Sequence, residues 1–312
     1  METNPSGKPR VLILGVSGFL GYHLALHLRT RFSVSGICFQ HWVQIPGVQV
    51  YPVASTSLDI VEHIVRLQAP DFTVMAAGMN NRQACKDQPK LAENFNIVMP
   101  VSFATVANKI KAKNIHLSCA DMYESPHPDH TEDDIEFSLN DDYAKQKQAA
   151  ESYIKSQTME CTILRLGRVL GLGLHHRPSL FDQIRKDFLL GETRVMAKNR
   201  VHSWLTAQRL AEAVERVFLE PIPVKHRTFH VGGAALSEYD LGKSLCRALG
   251  WDEKLVKSPG QEEDPLNFSL SSKLFSETYP GWKPNTEREL TDYLLQCLRP
   301  GLRKQPMSAP AP

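Results

Sequence analysis

Tyr143 and Lys147 stand four residues apart, so on a helix they share one face. A lysine ammonium beside a tyrosine favours the phenolate and lowers the phenol's pKa. The pair can then exchange a proton with a carbonyl or hydroxyl near neutral pH. The spacing alone selects nothing, because the chain contains Tyr-x-x-x-Lys three times, at Tyr143/Lys147, Tyr239/Lys243 and Tyr279/Lys283. Position separates them. Pro280 and Gly281 lie inside the last match and deny it a regular helix, while the middle match falls beyond the alternating part of the chain. Only Tyr143 follows the strand end at 118–123 at a distance that returns its helix to the same sheet edge.

A second constellation is Gly15, Gly18 and Gly21, directly after the apolar run Val11-Leu12-Ile13-Leu14 and opening an amphipathic helix. Glycine at the first position permits a tight strand-to-helix turn, at the second lets backbone approach a ligand, and at the third lets helix pack closely on strand. A helix N-terminus with unpaired N–H groups follows, which suits the pyrophosphate of a dinucleotide. Ser17, Phe19 and Leu20 belong to the same turn and are expected among the cofactor contacts. Lys147 can hold the nicotinamide ribose while Tyr143 handles the proton.

These groups need an alternating scaffold. Apolar runs at 10–15, 34–39, 48–53, 72–76, 114–118 and 161–166 read as strands, and 20–29, 58–68, 90–111 and 142–156 as helices, with a further helix at 207–219 and strand at 228–231. Right-handed βαβ units follow, hence an α/β fold with a Rossmann-type, doubly wound parallel sheet. The rhythm breaks at 171–202 and after Gly232. Such insertions fall outside the carboxyl ends of the strands, so they are expected to build a smaller, mostly C-terminal substrate lobe. The expected division is a dinucleotide-binding domain at 1–170 with 203–232 returning to it, a substrate lobe at 171–202 and 233–300, and a disordered Pro-rich tail at 301–312.

The 312 residues carry 36 Lys and Arg against 34 Asp and Glu, a net charge of +2, which gives no reason to expect nucleic acid or an anionic membrane as partner. No apolar stretch approaches the roughly 20 residues of a membrane span, and the N-terminal residues are polar; a cytoplasmic location is expected. Six cysteines without CxxC spacing read as reduced packing residues. His175-His176 has no carboxylate or third histidine at ligand spacing, so a polar loop is expected there and no metal.

Taken with Ala76-Ala77-Gly78, Asn96, Ile163-Leu164-Arg165, Phe229-His230-Val231-Gly232-Gly233 and Pro265-Leu266-Asn267-Phe268-Ser269-Leu270, these motifs make the chain resemble the extended short-chain dehydrogenase/reductase superfamily. Within it the chain is most similar to the dTDP-4-dehydrorhamnose reductase family, over nearly its whole length. The resemblance implies NAD or NADP as cofactor, lined by Ala76, Ala77 and Gly78, with Asn96 and the Leu166–Gly167 turn nearby. It implies a nucleotide-linked sugar or related small molecule as substrate, and is compatible with a homodimer. The family's carbonyl-binding Ser or Thr falls on Cys119, a weaker donor, with Ser118 adjacent but one residue out of register.

Other positions depart from the family. The acidic residue expected near Ala54 and the aromatic near Arg168 are missing, and Glu262-Glu263-Asp264 stands where an Arg often precedes Pro265. Arg168, Arg177, Arg185, Arg194 or Arg200 would have to meet a nucleotide diphosphate instead. Gln40 and His41 occupy the position that distinguishes NAD from NADP, and leave both open. The expected activity is reduction of a keto group on a nucleotide-linked sugar; the alternatives are a sugar-nucleotide epimerase or dehydratase, or a non-catalytic regulatory member of the superfamily.

Overall fold

The computed structural model describes residues 7–53, 57–123, 125–134, 141–157, 160–220, 228–261 and 264–299. The expectations at Ala54, Glu262 and Glu263 and for the 301–312 tail lie outside the described residues. In chain order the strands are β1 Arg10–Leu14, β2 Ser33–Cys38, β3 Val48–Pro52, β4 Phe72–Met75, β5 Lys113–Cys119, β6 Cys161–Leu166, β7 Arg168–Leu170, β8 Arg194–Val195, β9 Arg200–Thr206, β10 Thr228–Val231, β11 Ala234–Ser237, β12 Val256–Lys257 and β13 Leu266–Phe268. The α-helices are α1 Phe19–Leu28, α2 Leu58–Gln68, α3 Arg82–Asp87, α4 Pro89–Glu93, α5 Met99–Lys109, α6 Asp142–Ser156, α7 Leu180–Leu189, α8 Ala207–Leu219, α9 Glu238–Leu249, α10 Lys273–Thr278 and α11 Glu287–Leu298.

Val11, Leu12, Ile13 and Leu14 are all fully buried, which requires that β1 be covered on both faces. Val11 and Ile13 pack with Leu24, Ala25 and Leu28 of α1 and Leu210, Val214 and Phe218 of α8. Leu12 and Leu14 pack on the other side with Val61 and Val65 of α2 and Met99, Phe103 and Val106 of α5. Around this strand the central sheet has seven parallel strands in the order β3-β2-β1-β4-β5-β6-β10. The fold is thus the expected doubly wound α/β sheet. Its direction of growth reverses between β1 and β4, and ligands of such sheets bind in the crevice outside that point.

The helix expected at 90–111 is interrupted. Asn94–Val98 forms a π turn in which Met99 N–H bonds back to Asn94 O, between α4 and α5. Pro100 has no N–H to give to the carbonyl four residues earlier, and the wider turn accommodates that gap.

The stretches that break the alternation contain a second sheet. Its strand β9 pairs antiparallel with β11 and parallel with β13 and β7. Residues 203–206 therefore belong to this second sheet, while α8 packs on the central sheet and β10 joins its edge. Trp204, Phe181, Ile184, Leu241, Leu245, Leu290 and Leu294 form its apolar core with α7, α9 and α11. Among the described residues no helix is long and apolar enough to cross a membrane. All six cysteines are free.

Candidate functional site

At the carboxyl end of β1 the backbone of Gly15 turns into the left-handed region, φ 92°, and its N–H bonds to Ile37 O of β2 at 2.9 Å. A Cβ there would stand 2.6 Å from Ala77 N, and one at Gly21 would stand 2.2 Å from Gly15 O. No side chain therefore fits at either position, and the turn is held against the segment after β4. Gly18 caps α1 with no side-chain bond, so the first-turn N–H groups have no capping oxygen. On this geometry the Gly15–Gly21 cradle and the Ala76-Ala77-Gly78 edge would hold the pyrophosphate half of a dinucleotide.

The facing wall is fixed by Asn96. Its side chain accepts from Met79 N at 2.9 Å, donates to Met79 O at 3.0 Å and donates to Gln146 Oε1 at 2.7 Å. Asn96 thus clamps the loop after β4 to α6, next to Lys147, and is fully buried. Phe19 packs edge-on against His23, and Leu20 packs into the central core. Leu166 is also a core residue and offers the cleft no polar side chain.

Asp141 caps α6 by accepting from Tyr143 N at 2.9 Å, which sets the first turn of the helix that carries Tyr143 and Lys147. The Tyr143 hydroxyl and the Cys119 thiol lie close enough for each to shift the other's proton. Burial, followed by the thiol and the Asp121 carboxylate, raises the Tyr143 phenol well above its ordinary value. The Cys119 thiol is pushed up to about 12, first by burial and then by Asp121. Both groups carry their protons at neutral pH.

The expected tuning of Tyr143 by Lys147 is not what this arrangement provides. Lys147 Nζ donates to Leu117 O at 2.6 Å and stands 3.3 Å from His116 Nε2, and the cation that opposes the rise at Tyr143 is Arg82. Arg82 pairs with Asp121 at 3.2 Å and with the capping Asp141, so it spans from α3 to the end of β5 and the start of α6. Burial lowers the Lys147 pKa. Ser118 lies on the opposite face of β5 from Cys119, its hydroxyl buried beside Glu151. It cannot stand in for Cys119 without a register slip.

The remaining Tyr-x-x-x-Lys matches lie elsewhere. Lys243 sits over the Tyr239 ring at 5.3 Å and donates to Glu253 O, while Tyr279 is buried among Phe229, Phe275 and Trp282.

Comparison with known proteins supports the same lineage. Residues 11–232 match the family described as NAD dependent epimerase/dehydratase. The chain belongs to this family. It is 22% identical to the spore coat polysaccharide biosynthesis protein SpsK of Bacillus subtilis (strain 168), over 91% of this chain and 96% of the relative. It shares its fold with a UDP-glucose 4-epimerase from Thermotoga maritima solved with UDP-glucose, at a TM-score of 0.79 and 18% identity over 93% of this chain and 100% of the other. It is likewise similar to dTDP-4-dehydrorhamnose reductase from Bacillus anthracis solved with NADP, at a TM-score of 0.75 and 16% identity over 93% and 99%.

Beneath this epimerase/dehydratase-family site lies a set of buried polar residues, of which Arg165 and His230 fall in segments that carry the resemblance and Glu151 has no local sequence signal. Glu151 and Arg165 pair at 2.8 Å, both buried, and Arg165 donates to the Tyr123 hydroxyl. Tyr123 in turn donates to His230 Nε2 at 2.7 Å, because His230 Nδ1 is committed to His130 O at 2.8 Å. Burial first, then Arg165, holds His230 neutral, its pKa down to about 3. The Asp141 cap has a local signal of its own, since an Asp directly before a helix start is a capping signal. Of the candidate arginines, Arg168 pairs with Glu238 at 3.1 Å and Arg194 with Asp187 at 2.6 Å. Arg177 instead reaches Asn80 Oδ1 at 3.0 Å, beside the loop after β4.

Proposed function

We propose that this chain is an NAD(P)-dependent reductase of a keto group on a nucleotide-linked sugar, resembling dTDP-4-dehydrorhamnose reductase. The observation that carries the reading is that α6 brings Tyr143 beside Cys119 at the carboxyl end of β5, close enough for each to shift the other's proton, across the sheet's switch point from the glycine cradle. A bound reduced nicotinamide supplies the hydride to the carbonyl carbon. Tyr143 gives its proton to the carbonyl oxygen, so that an alcohol forms, and Cys119 polarises that oxygen with its S–H. Lys147, anchored on Leu117 O and beside His116 Nε2, has one further donor for the nicotinamide ribose. The Gly15–Gly21 turn, Ser17, Ala76, Ala77 and Gly78 hold the dinucleotide, and Asn96 positions the last of these.

The test is oxidation of NADH and NADPH by the purified chain with a panel of 4-keto nucleotide sugars. The expected result is one alcohol formed per dinucleotide oxidised. A second reading, sugar-nucleotide epimerase or dehydratase, is favoured by Asp121, a carboxylate close enough to Cys119 and Tyr143 to raise both. Turnover of a nucleotide sugar with catalytic NAD and no net oxidation would establish that second reading. Dinucleotide binding with no turnover in either assay would overturn both in favour of a non-catalytic role.

A further inference from the structure

Rossmann-type sites distinguish NAD from NADP just after the second strand, where a carboxylate holds the ribose hydroxyls or a cation meets the 2′-phosphate. Here β2 ends at Cys38 and is followed by Phe39-Gln40-His41-Trp42; the first carboxylate after it is Asp59, in α2. No carboxylate directly follows β2 for the bidentate recognition of a free ribose.

What meets this edge comes from the other side of the molecule. The loop after β7 crosses to the glycine turn and is pinned there at three points. His23 Nε2 bonds to Leu172 O at 2.8 Å, His176 Nε2 to Ser17 O at 3.1 Å, and Arg177 to Asn80 Oδ1 at 3.0 Å. Leu174 and Arg177 close it into a tight turn through paired backbone bonds of 3.1 and 2.9 Å. The His176 ring then lies against the His41 ring, centroids 4.7 Å apart and planes inclined by 32°. With Nε2 engaged, Nδ1 of His176 remains for a ligand. Burial, followed by His41, Arg177 and His175, holds the His176 pKa down, while the bond to Ser17 O raises it.

We infer that His41 and His176 together receive a phosphate monoester on the adenosine ribose, so that the chain takes NADP(H) in preference to NAD(H). This rests on the dinucleotide reading above and adds the choice between the two nicotinamides. A phosphate dianion favours the protonated form of an imidazole beside it, so the two neighbouring rings can each give the phosphate a charge-assisted hydrogen bond.

Calorimetry on the full chain tests it with two pairs of ligands: NADPH against NADH, and adenosine 2′,5′-bisphosphate against adenosine 5′-monophosphate. Each pair differs only by the 2′-phosphate. The native chain should bind the phosphorylated member at least about tenfold more tightly. His176→Gln and His41→Gln should each erase most of that difference while leaving NADH and the monophosphate unchanged, and His41→Asp should reverse it. Unchanged NADH affinity shows that the variants are folded. Equal affinity within each pair for the native chain, or a preference that survives both glutamine variants, would overturn the inference while the dinucleotide reading stands. Failure to bind either NADH or NADPH would remove the dinucleotide reading itself, and this inference with it.

Discussion

At the scale of the residue, the proton is the deciding quantity. Burial raises the Tyr143 phenol and the Cys119 thiol together, so each keeps its proton at neutral pH and each is a donor. That state suits the reductive direction, in which the carbonyl oxygen must gain a proton. Tyr143→Phe should therefore lower turnover roughly a hundredfold or more, with dinucleotide affinity by calorimetry unchanged. Cys119→Ser puts a stronger donor of nearly the same size in place and should hold or raise the rate, whereas Cys119→Val should lower it. Equal rates for native, Ser and Val forms would exclude Cys119 as the polarising group. The glycine turn and the Tyr143/Lys147 pair are legible in the sequence because both depend on local spacing. The partner of Lys147 is not, since it is the main-chain oxygen of Leu117, thirty positions away, and no side-chain pattern announces a carbonyl.

At the scale of the element, Asn96 shows how a local defect serves a distant contact. Periodicity reads as one helix over 90–111, and the apolar pattern is indeed continuous enough to suggest it. The π turn at Asn94–Val98 instead lets a polar side chain sit fully buried where it satisfies both backbone groups of Met79 and reaches Gln146 of α6. Pro100 is the visible hint, but proline is tolerated in the first turn of a helix and does not by itself specify a π turn. Asn96→Ala should leave the Met79 N–H without its partner and the Met79 C=O with only the weak Cys85 thiol donor, costing about 1–3 kcal/mol by urea unfolding. The same change should weaken dinucleotide binding, because the loop after β4 loses its clamp to α6. A variant of native stability and native affinity would show that water replaces the amide without consequence.

At the scale of the whole molecule, the central sheet is readable because its strands are apolar runs separated by helices of regular period. The second sheet is not, because β7, β11 and β13 are only three or four residues long, and its strands come from four separated stretches and mix parallel with antiparallel pairing. The two sheets meet around buried charge. Glu151 of α6 holds Arg165 of β6, Arg165 holds Tyr123, and the chain of bonds passes through His230 of β10 to His130, whose Nε2 reaches Asn267 O of β13 at 2.9 Å. One carboxylate thus supports a path from the central sheet to the second. Glu151→Gln leaves a buried guanidinium without its counter-charge, and should cost about 3 kcal/mol at neutral pH in chemical unfolding. The pH dependence has a definite sign. Burial raises the folded-state pKa of Glu151, but Arg165, by hydrogen bond and by charge, together with Ser118 and Lys155 more than offsets it, so the pKa is lowered. The pair's contribution is then fully present above the unfolded carboxylate value of about 4.3 and is lost as pH falls through the lower, folded value. The stability gap between native chain and Glu151→Gln should accordingly be widest at neutral pH and close on acidification. A gap that stayed constant from neutral to acid pH would mean that the substitution disturbs packing alone, and that the charge pair does not hold the two sheets together.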